Sequence, residues 1–314
     1  MQICHLIHKI ARYLVISLIS PNQVHNPTSI AIGSFDGLHA GHRKLIESVI
    51  KEKKYTPTIA SFWPHPREVL HKETRLRLDL PEEKLPILEG LGIEQLVLIP
   101  FDKKLSKLSA EFFIKDILIK QLQAKSISVG ANFRFGFQRS GNIDTIEKVI
   151  KGRDIRLRTI SILEDKEGRI SSSRVRDLLQ KGDLKNAYKI LNRAYTFTGE
   201  VVKGKEIGRR LGCRTANLEI DGRKFLPGEG VYAAWTTIEG SPNRIPSVMN
   251  LGKQPTVDPL SPSAVEVHLI NKDINLYGLK LSVEPVEKMR SQILFENIDQ
   301  LSNQISKDKK NALL

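Results

Sequence analysis

Residues 28–50, TSIAIGSFDGLHAGHRKLIESVI, constrain the fold more than any other stretch of the chain. Ser29 to Phe35 is a short apolar run rich in Ile and Ala, the pattern of a buried strand. Asp36-Gly37 is a turn dipeptide, and from Gly41 the apolar Leu45, Ile46, Val49 and Ile50 recur at helical spacing with charged residues between them. The chain must therefore pass from strand to helix through a sharp turn, with His39 and His42 in the turn and at the helix start. Free N–H groups at a helix N-terminus favour a phosphate. Two imidazoles there would add donors for charge developing on that phosphate. Taken alone, a pair of solvated loop histidines explains the stretch at least as well.

Composition sets loose bounds. A chain of 314 residues, 40% hydrophobic and 27% charged, suits a globular protein of about two domains. The net charge of +14 fits nucleic acid or anionic small substrates such as ATP. No tight Lys/Arg cluster interleaved with aromatics favours the nucleic acid. Cys4 and Cys213 are the two cysteines, too far apart for a C-x-x-C metal site, and a reducing cytosol fits them. The apolar run Tyr13–Ser20 is shorter than the roughly 20 residues a bilayer span needs, and no small-residue cleavage site follows it. Leu14–Leu18 reads as a strand, and residues 1–13 as an extension of unknown role.

Strand and helix patterns then alternate. Strands are expected at 58–63, 95–99, 126–129 and 155–162, and helices at 81–91 and 109–123, the last with Phe112, Phe113, Ile117 and Leu118 on one buried face. That order implies a parallel, doubly wound sheet. Pro64-His65-Pro66-Arg67 reads as an extended loop just past a strand end, where open α/β sheets bind ligands. Gly130–Asn142, GANFRFGFQRSGN, is glycine-rich and aromatic. Phe133, Phe135 and Phe137 either stack a planar ring or form one face of a strand. Arg169–Leu179, RISSSRVRDLL, is an N-cap leading into an amphipathic helix. Arg174 and Arg176 in its first turn oppose the helix dipole unless an anion compensates. A short helix, 184–191, follows.

Beyond about residue 192 short strands dominate, at 195–202, 230–238, 247–251, 264–269 and 279–286, with a closing helix at 298–306. That is the pattern of a small antiparallel barrel. Gly204, Gly208 and Gly212 lie among basic residues, a phosphate cradle or an exposed basic hairpin. Thr215 and Asn217 place two hard oxygen donors two residues apart, which suits Mg²⁺. Glu266 alternates with Val265 and Val267, so it points opposite to them, towards solvent or towards a substrate alcohol it could deprotonate.

These motifs, in this order, resemble one family. G-x-F-D-G-x-H-x-G-H at 33–42, the P-H-P-R loop, V-G-x-[DN]-F-x-F-G at 129–136 and the I-S-S-T-x-x-R-like run at 170–176 resemble the nucleotidylyltransferase half of bacterial bifunctional riboflavin kinase/FAD synthetases. The run at 208–217 resembles G-R-x-L-G-[FY]-P-T-A-N of the kinase half, with Cys213 and Arg214 at the aromatic and proline positions. Pro227–Tyr232, 250–256, 264–270, 276–278, Arg290 and Phe295 extend the likeness.

The resemblance implies an FMN adenylyltransferase domain at 14–190 and a riboflavin kinase barrel at 191–314. His39 and His42 would stabilise the transferring phosphate, with Gly33, Phe35, Asp36, Gly37, Gly41, Ser172, Arg174 and Arg176 holding ATP. Asn132, Phe133, Phe135, His65 and Arg67 would seat the flavin. In the barrel Glu266 would be the base, Thr215 and Asn217 the Mg²⁺ ligands, and Gly204, Gly208 and Gly212 the phosphate loop. Riboflavin, FMN and ATP are then the partners, in the cytoplasm, with no nucleic acid and no membrane. The rival expectation is a synthetase whose kinase site is weakened by Arg214.

Overall fold

The computed structural model describes residues 16–203, 215–252, 263–272 and 274–313. Gly204, Gly208, Gly212, Cys213 and Arg214, and the Pro255-Thr256 motif, lie outside the described residues, as do Leu14 and Val15 of the first expected strand. The chain forms two compact units, one of residues 1–73 and 81–170, the other of 74–80 and 171–314.

The first unit is built on six parallel strands: β1 (Ser17–Ile19), β2 (Thr28–Ile32), β3 (Thr56–Trp63), β4 (Gln95–Pro100), β5 (Ala124–Gly130) and β6 (Arg156–Ile160), in the order β1-β4-β3-β2-β5-β6. Strand order reverses between β2 and β5, the crevice where open sheets bind ligands. Alternation along β2 sorts the core: Ile30 and Ile32 face one side, Ala31 the other. On Ala31's side lie Leu45, Ile46 and Val49 of α1 (Ala40–Ile50) and Leu88 of α3 (Pro81–Gly90). On the opposite side lie α4 (Ala110–Phe112), continued as a π-helix over Phe113–Gln121, and α5 (Ile143–Ile150). In that helix Phe113, Ile114, Ile117 and Leu118 are buried, whereas Phe112, expected on the same face, is 44% exposed. The segment 64–67 is not an extended loop. Pro66 opens the short helix α2 (Pro66–His71), where a missing N–H costs nothing. His65 caps it, Nδ1 accepting from the Arg67 N–H at 3.1 Å while its own N–H donates to Glu68 at 2.6 Å. A small hairpin, β7 (Glu164–Asp165) and β8 (Gly168–Arg169), ends the unit.

The second unit contains α6 (Ser172–Lys181), α7 (Leu184–Leu191) and a closed antiparallel barrel. Its strands are β9 (Phe197–Val202), β10 (Ala216–Ile220), β11 (Gly230–Ile238), β12 (Arg244–Leu251), β13 (Ser263–Leu269) and β14 (Lys280–Arg290). Inward Leu218, Ile220, Tyr232, Met249, Val265, Val267, Leu281 and Val283 fill it. Strand β10 was not expected; the glycines and basic residues just before it mask a period-two pattern of only five residues. The final helix, α8, runs Ile298–Asn311 and so includes the basic tail; buried Asp308 receives Arg290 of β14 at 2.7 Å.

Residues 74–80 form a strap of this unit. The Arg77 N–H donates to Arg223 O at 2.9 Å and the Phe225 N–H to Arg77 O at 2.7 Å. Buried Lys224 donates to Leu78 O and Thr196 O at 2.7 and 2.9 Å, the Arg176 Nε to Leu76 O at 2.8 Å, and Arg193 pairs with fully buried Asp79. Cations therefore satisfy strap carbonyls and one strap carboxylate. Replacing Asp79 by Ala leaves Arg193 without its buried counter-ion and is expected to cost about 3 kcal/mol. The control Leu18→Ala, at an exposed edge position, should cost under about 0.5 kcal/mol. Urea unfolding of both variants measures the difference.

Candidate functional site

In the first unit the turn after β2 gathers the histidines. Phe35 and Leu38 take left-handed φ of 44° while fully buried, and Gly37 lies between them at φ 86°. Left-handed backbone is rare for bulky residues and marks strain at a functional turn. Asp36 is fully buried beside them. His39 is the N-cap of α1, yet its side chain makes no capping hydrogen bond, and the first turn holds no acidic residue. The first-turn N–H groups and the positive dipole end of α1 lie at this turn.

The imidazoles of His39 and His42 stack, centroids 3.8 Å apart and planes within 16°; Phe35 lies 5.2 Å from His42. A Cβ on Gly41 would stand 3.3 Å from the His39 ring, so glycine there lets the two rings and the helix start close up. His42 is held well below the ordinary imidazole range by burial first, then by the neighbouring charges of His39 and Lys84. Its ring is neutral at physiological pH. Its Nδ1 is buried with no hydrogen-bond partner among the described residues. Gly33 follows β2, where an added Cβ would stand 3.5 Å from the Phe35 ring.

Across the switch point, the loop after β5 behaves otherwise than either sequence reading. It is not a strand, apart from one bridge between Phe135 and Gly141. Phe135 is core, 6% exposed and 5.6 Å from Phe113; Phe133 stacks on it at 5.2 Å; Phe137 is 47% exposed. Phe135 supports the loop from below and has little surface to offer a ring. Exposed Asn132, with its amide oxygen turned to Arg169, accepts from both Nη atoms at 3.1 and 2.8 Å. Its NH₂ group is then the end presented outward. Arg67 is clasped by Glu73 through two contacts, at 2.7 and 2.5 Å, and His65 is occupied as a cap.

On α6 the cap is Ser171, whose Oγ accepts from the Arg174 N–H at 3.3 Å; Ser172 is the first helical residue. Arg176 is buried on Leu76 O, while Arg174 is half-buried. These residues belong to the second unit.

In the barrel, Asn217 of β10 pairs with Glu266 of β13, which pairs with Asn250 of β12. Because opposed residues in a ladder share a face, the three lie in one row on the outer surface. Glu266 is exposed, as its alternation with buried Val265 and Val267 requires, and accepts from Asn250 Nδ2 at 3.1 Å. Gln292 Nε2 donates to Asn250 Oδ1 at 2.7 Å and orients that amide. Thr215 and Asn217 line a cleft of about 290 Å³ with Val201, Leu276 and Tyr277. The Glu266 carboxylate is turned to Asn250, while the cleft is lined by Thr215, with its hydroxyl, and Asn217, with its amide oxygen. The hydroxyl and the amide oxygen are hard donors for a divalent cation that keeps water and phosphate ligands.

Two contributors escaped the sequence reading. Lys84, 2% exposed, reaches Ser34 O at 3.4 Å; its signal was a lysine on the same α3 face as Pro81 and Leu88. Arg169 opened the serine stretch, but its partner, Asn132, is distant in sequence.

The comparisons divide the chain in a similar way. The FAD synthetase family profile matches residues 21–174 and the riboflavin kinase profile residues 191–313. A bifunctional riboflavin kinase/FMN adenylyltransferase of Buchnera aphidicola is 33% identical over 91% of this chain and 93% of its own length. The enzyme of that name in Escherichia coli K12 is 35% identical over 90% and 91%. A solved structure described as a macrolide-efflux protein from Streptococcus pneumoniae superposes with a TM-score of 0.81 at 27% identity, over 95% of this chain and 98% of that one. No helix among the described residues is long and apolar enough to cross a membrane. With both profiles matched in order and a third of residues identical over nine-tenths of the chain, this protein belongs to the bifunctional riboflavin kinase/FMN adenylyltransferase family.

Proposed function

We propose that the two ATP-dependent reactions of flavin cofactor synthesis are divided between the two halves of the chain, adenylyl transfer in residues 14–190 and riboflavin phosphorylation in 191–314. The observation that carries this reading is the stacked His39–His42 pair at the start of α1 beside the sheet's switch point, with a separate row of Asn217, Glu266 and Asn250 on the barrel.

In the first reaction an FMN phosphate oxygen attacks the α-phosphorus of ATP in line; the P–O bond to the β-phosphate breaks and pyrophosphate leaves. No protein nucleophile is needed. His39, His42 and the α1 N–H groups stabilise charge on the transferring phosphate. Neutral His42 does so as a hydrogen-bond donor. Asn132 would offer its NH₂ to an acceptor on the flavin or adenine ring, with Phe133 alongside. Arg176 would fix α6 through Leu76, and Arg67 would need release from Glu73 before touching a ligand.

In the second reaction Glu266 takes the proton of the ribityl 5′-hydroxyl as its oxygen attacks the γ-phosphorus, and ADP leaves. Thr215 and Asn217 would hold Mg²⁺, which neutralises phosphate charge when bound. The basic loop with Gly204, Gly208 and Gly212 would lie over the phosphates. A cytoplasmic enzyme with small-molecule partners fits this chemistry.

Separating flavins after incubation with Mg-ATP tests the division. With riboflavin, Glu266→Gln should lower FMN formation by about 10²–10⁴-fold while FAD still forms from added FMN. His42→Ala should do the reverse, by about 10²-fold or more. If either substitution suppresses both reactions equally, the division is wrong.

The depressed His42 also fixes a sign for stability. Unfolded, its imidazole binds a proton near 6.5; folded, it refuses one until the pH is well below that. Stability from this group is therefore complete above about pH 6.5 and is lost as the pH falls through the window beneath it. Urea midpoints measured between pH 7.5 and 5 should fall more steeply for the wild type than for His42→Gln.

A further inference from the structure

We infer that Lys84 is a positioning residue for adenylyl transfer, holding the turn that carries His39 and His42 through the carbonyl of Ser34. The inference rests on reading that histidine pair as the adenylyl-transfer site. The turn is strained at Phe35 and Leu38, so something must fix its entry. Two side chains from different elements converge there: Ser61 Oγ of β3 donates to Ser34 O at 2.9 Å, and Lys84 Nζ of α3 reaches the same oxygen at 3.4 Å. Ser61 is 1% and Lys84 2% exposed. Removing an ammonium from water is costly, and the neighbouring face of α3, Pro81 and Leu88, would accept an apolar side chain without that cost. A lysine kept in that place is explained by what its charge does for the turn.

It acts in two ways. It anchors the carbonyl just before the left-handed residues, which sets where α1 begins. Its positive charge also faces His42. The groups acting on that ring are His39 from its own turn and Lys84 from α3, and both favour the neutral imidazole.

The full-length chain supplies its own control, because kinase activity reports on the other half. In Lys84→Met, kcat for FAD formation from FMN should fall at least about tenfold, with KM for FMN changed less than about threefold and FMN formation from riboflavin unchanged. The His42 imidazole proton, followed by NMR, should titrate at higher pH than in the wild type. Ser61→Ala, which removes the other donor to Ser34 O, should lower kcat less and leave the His42 titration where it was. Wild-type FAD synthesis in Lys84→Met, an unmoved His42 titration, or equal loss of both activities would each overturn the inference. His42→Ala assayed in parallel separates the two levels: if it leaves FAD synthesis intact, the underlying site reading fails, whatever Lys84 does.

Discussion

The first unit depends on a balance within five residues. Phe35 and Leu38 hold backbone angles that cost about 1–2 kcal/mol each for an L-residue. Both side chains are completely buried in the cluster formed by α1, α3 and the Ala31 face of β2, worth about 1.5–3 kcal/mol apiece. The core thus forces the turn rather than merely tolerating it. The orientation of the two imidazoles and the direction of the α1 dipole follow from packing that touches no ligand. Weakening that packing would blur the site before it unfolded the domain.

The barrel solves a different problem. Its interior is filled by apolar side chains, Phe197 and Tyr232 among them, and opens to a cleft lined by Val201, Ala216 and Val267. The polar row lies on the outer surface, and the ladder itself does the placing. Register between β10, β13 and β12 aligns Asn217, Glu266 and Asn250 without any loop having to fold onto another. An exposed glutamate on a strand is ordinarily unremarked; here its neighbours distinguish it.

Much of this was legible in the sequence. Period-two and period-3.6 patterns located the sheet and most barrel strands, and the helix Leu184–Leu191 and strand Gly230–Ile238 fall where the pattern put them. The H-x-G-H turn announced itself because glycine, aspartate and histidine cluster between two apolar runs. The failures share a cause: the sequence shows residue types but not partners. Phe135 and Phe137 look alike in sequence, yet one closes the core and the other meets solvent. Arg67 read as a flavin contact and Arg176 as a phosphate ligand, but Glu73 and Leu76 O already hold them. Pro66 was read as a strand stop, when its fixed φ equally suits the first residue of a helix. At about 100° per residue Phe112 lies opposite Phe113, Ile114, Ile117 and Leu118, so it meets solvent while they fill the core.

The strap at residues 74–80 has a wider consequence. The polypeptide enters the second unit, returns to the first and enters the second again, so each unit is woven from two separate lengths of chain. A single cut anywhere near the end of α7 would strand the strap on the wrong fragment, and with it the counter-ion of Arg193 and the Leu78 carbonyl that accepts from Lys224. Two catalytic halves joined in this manner are spliced rather than strung together.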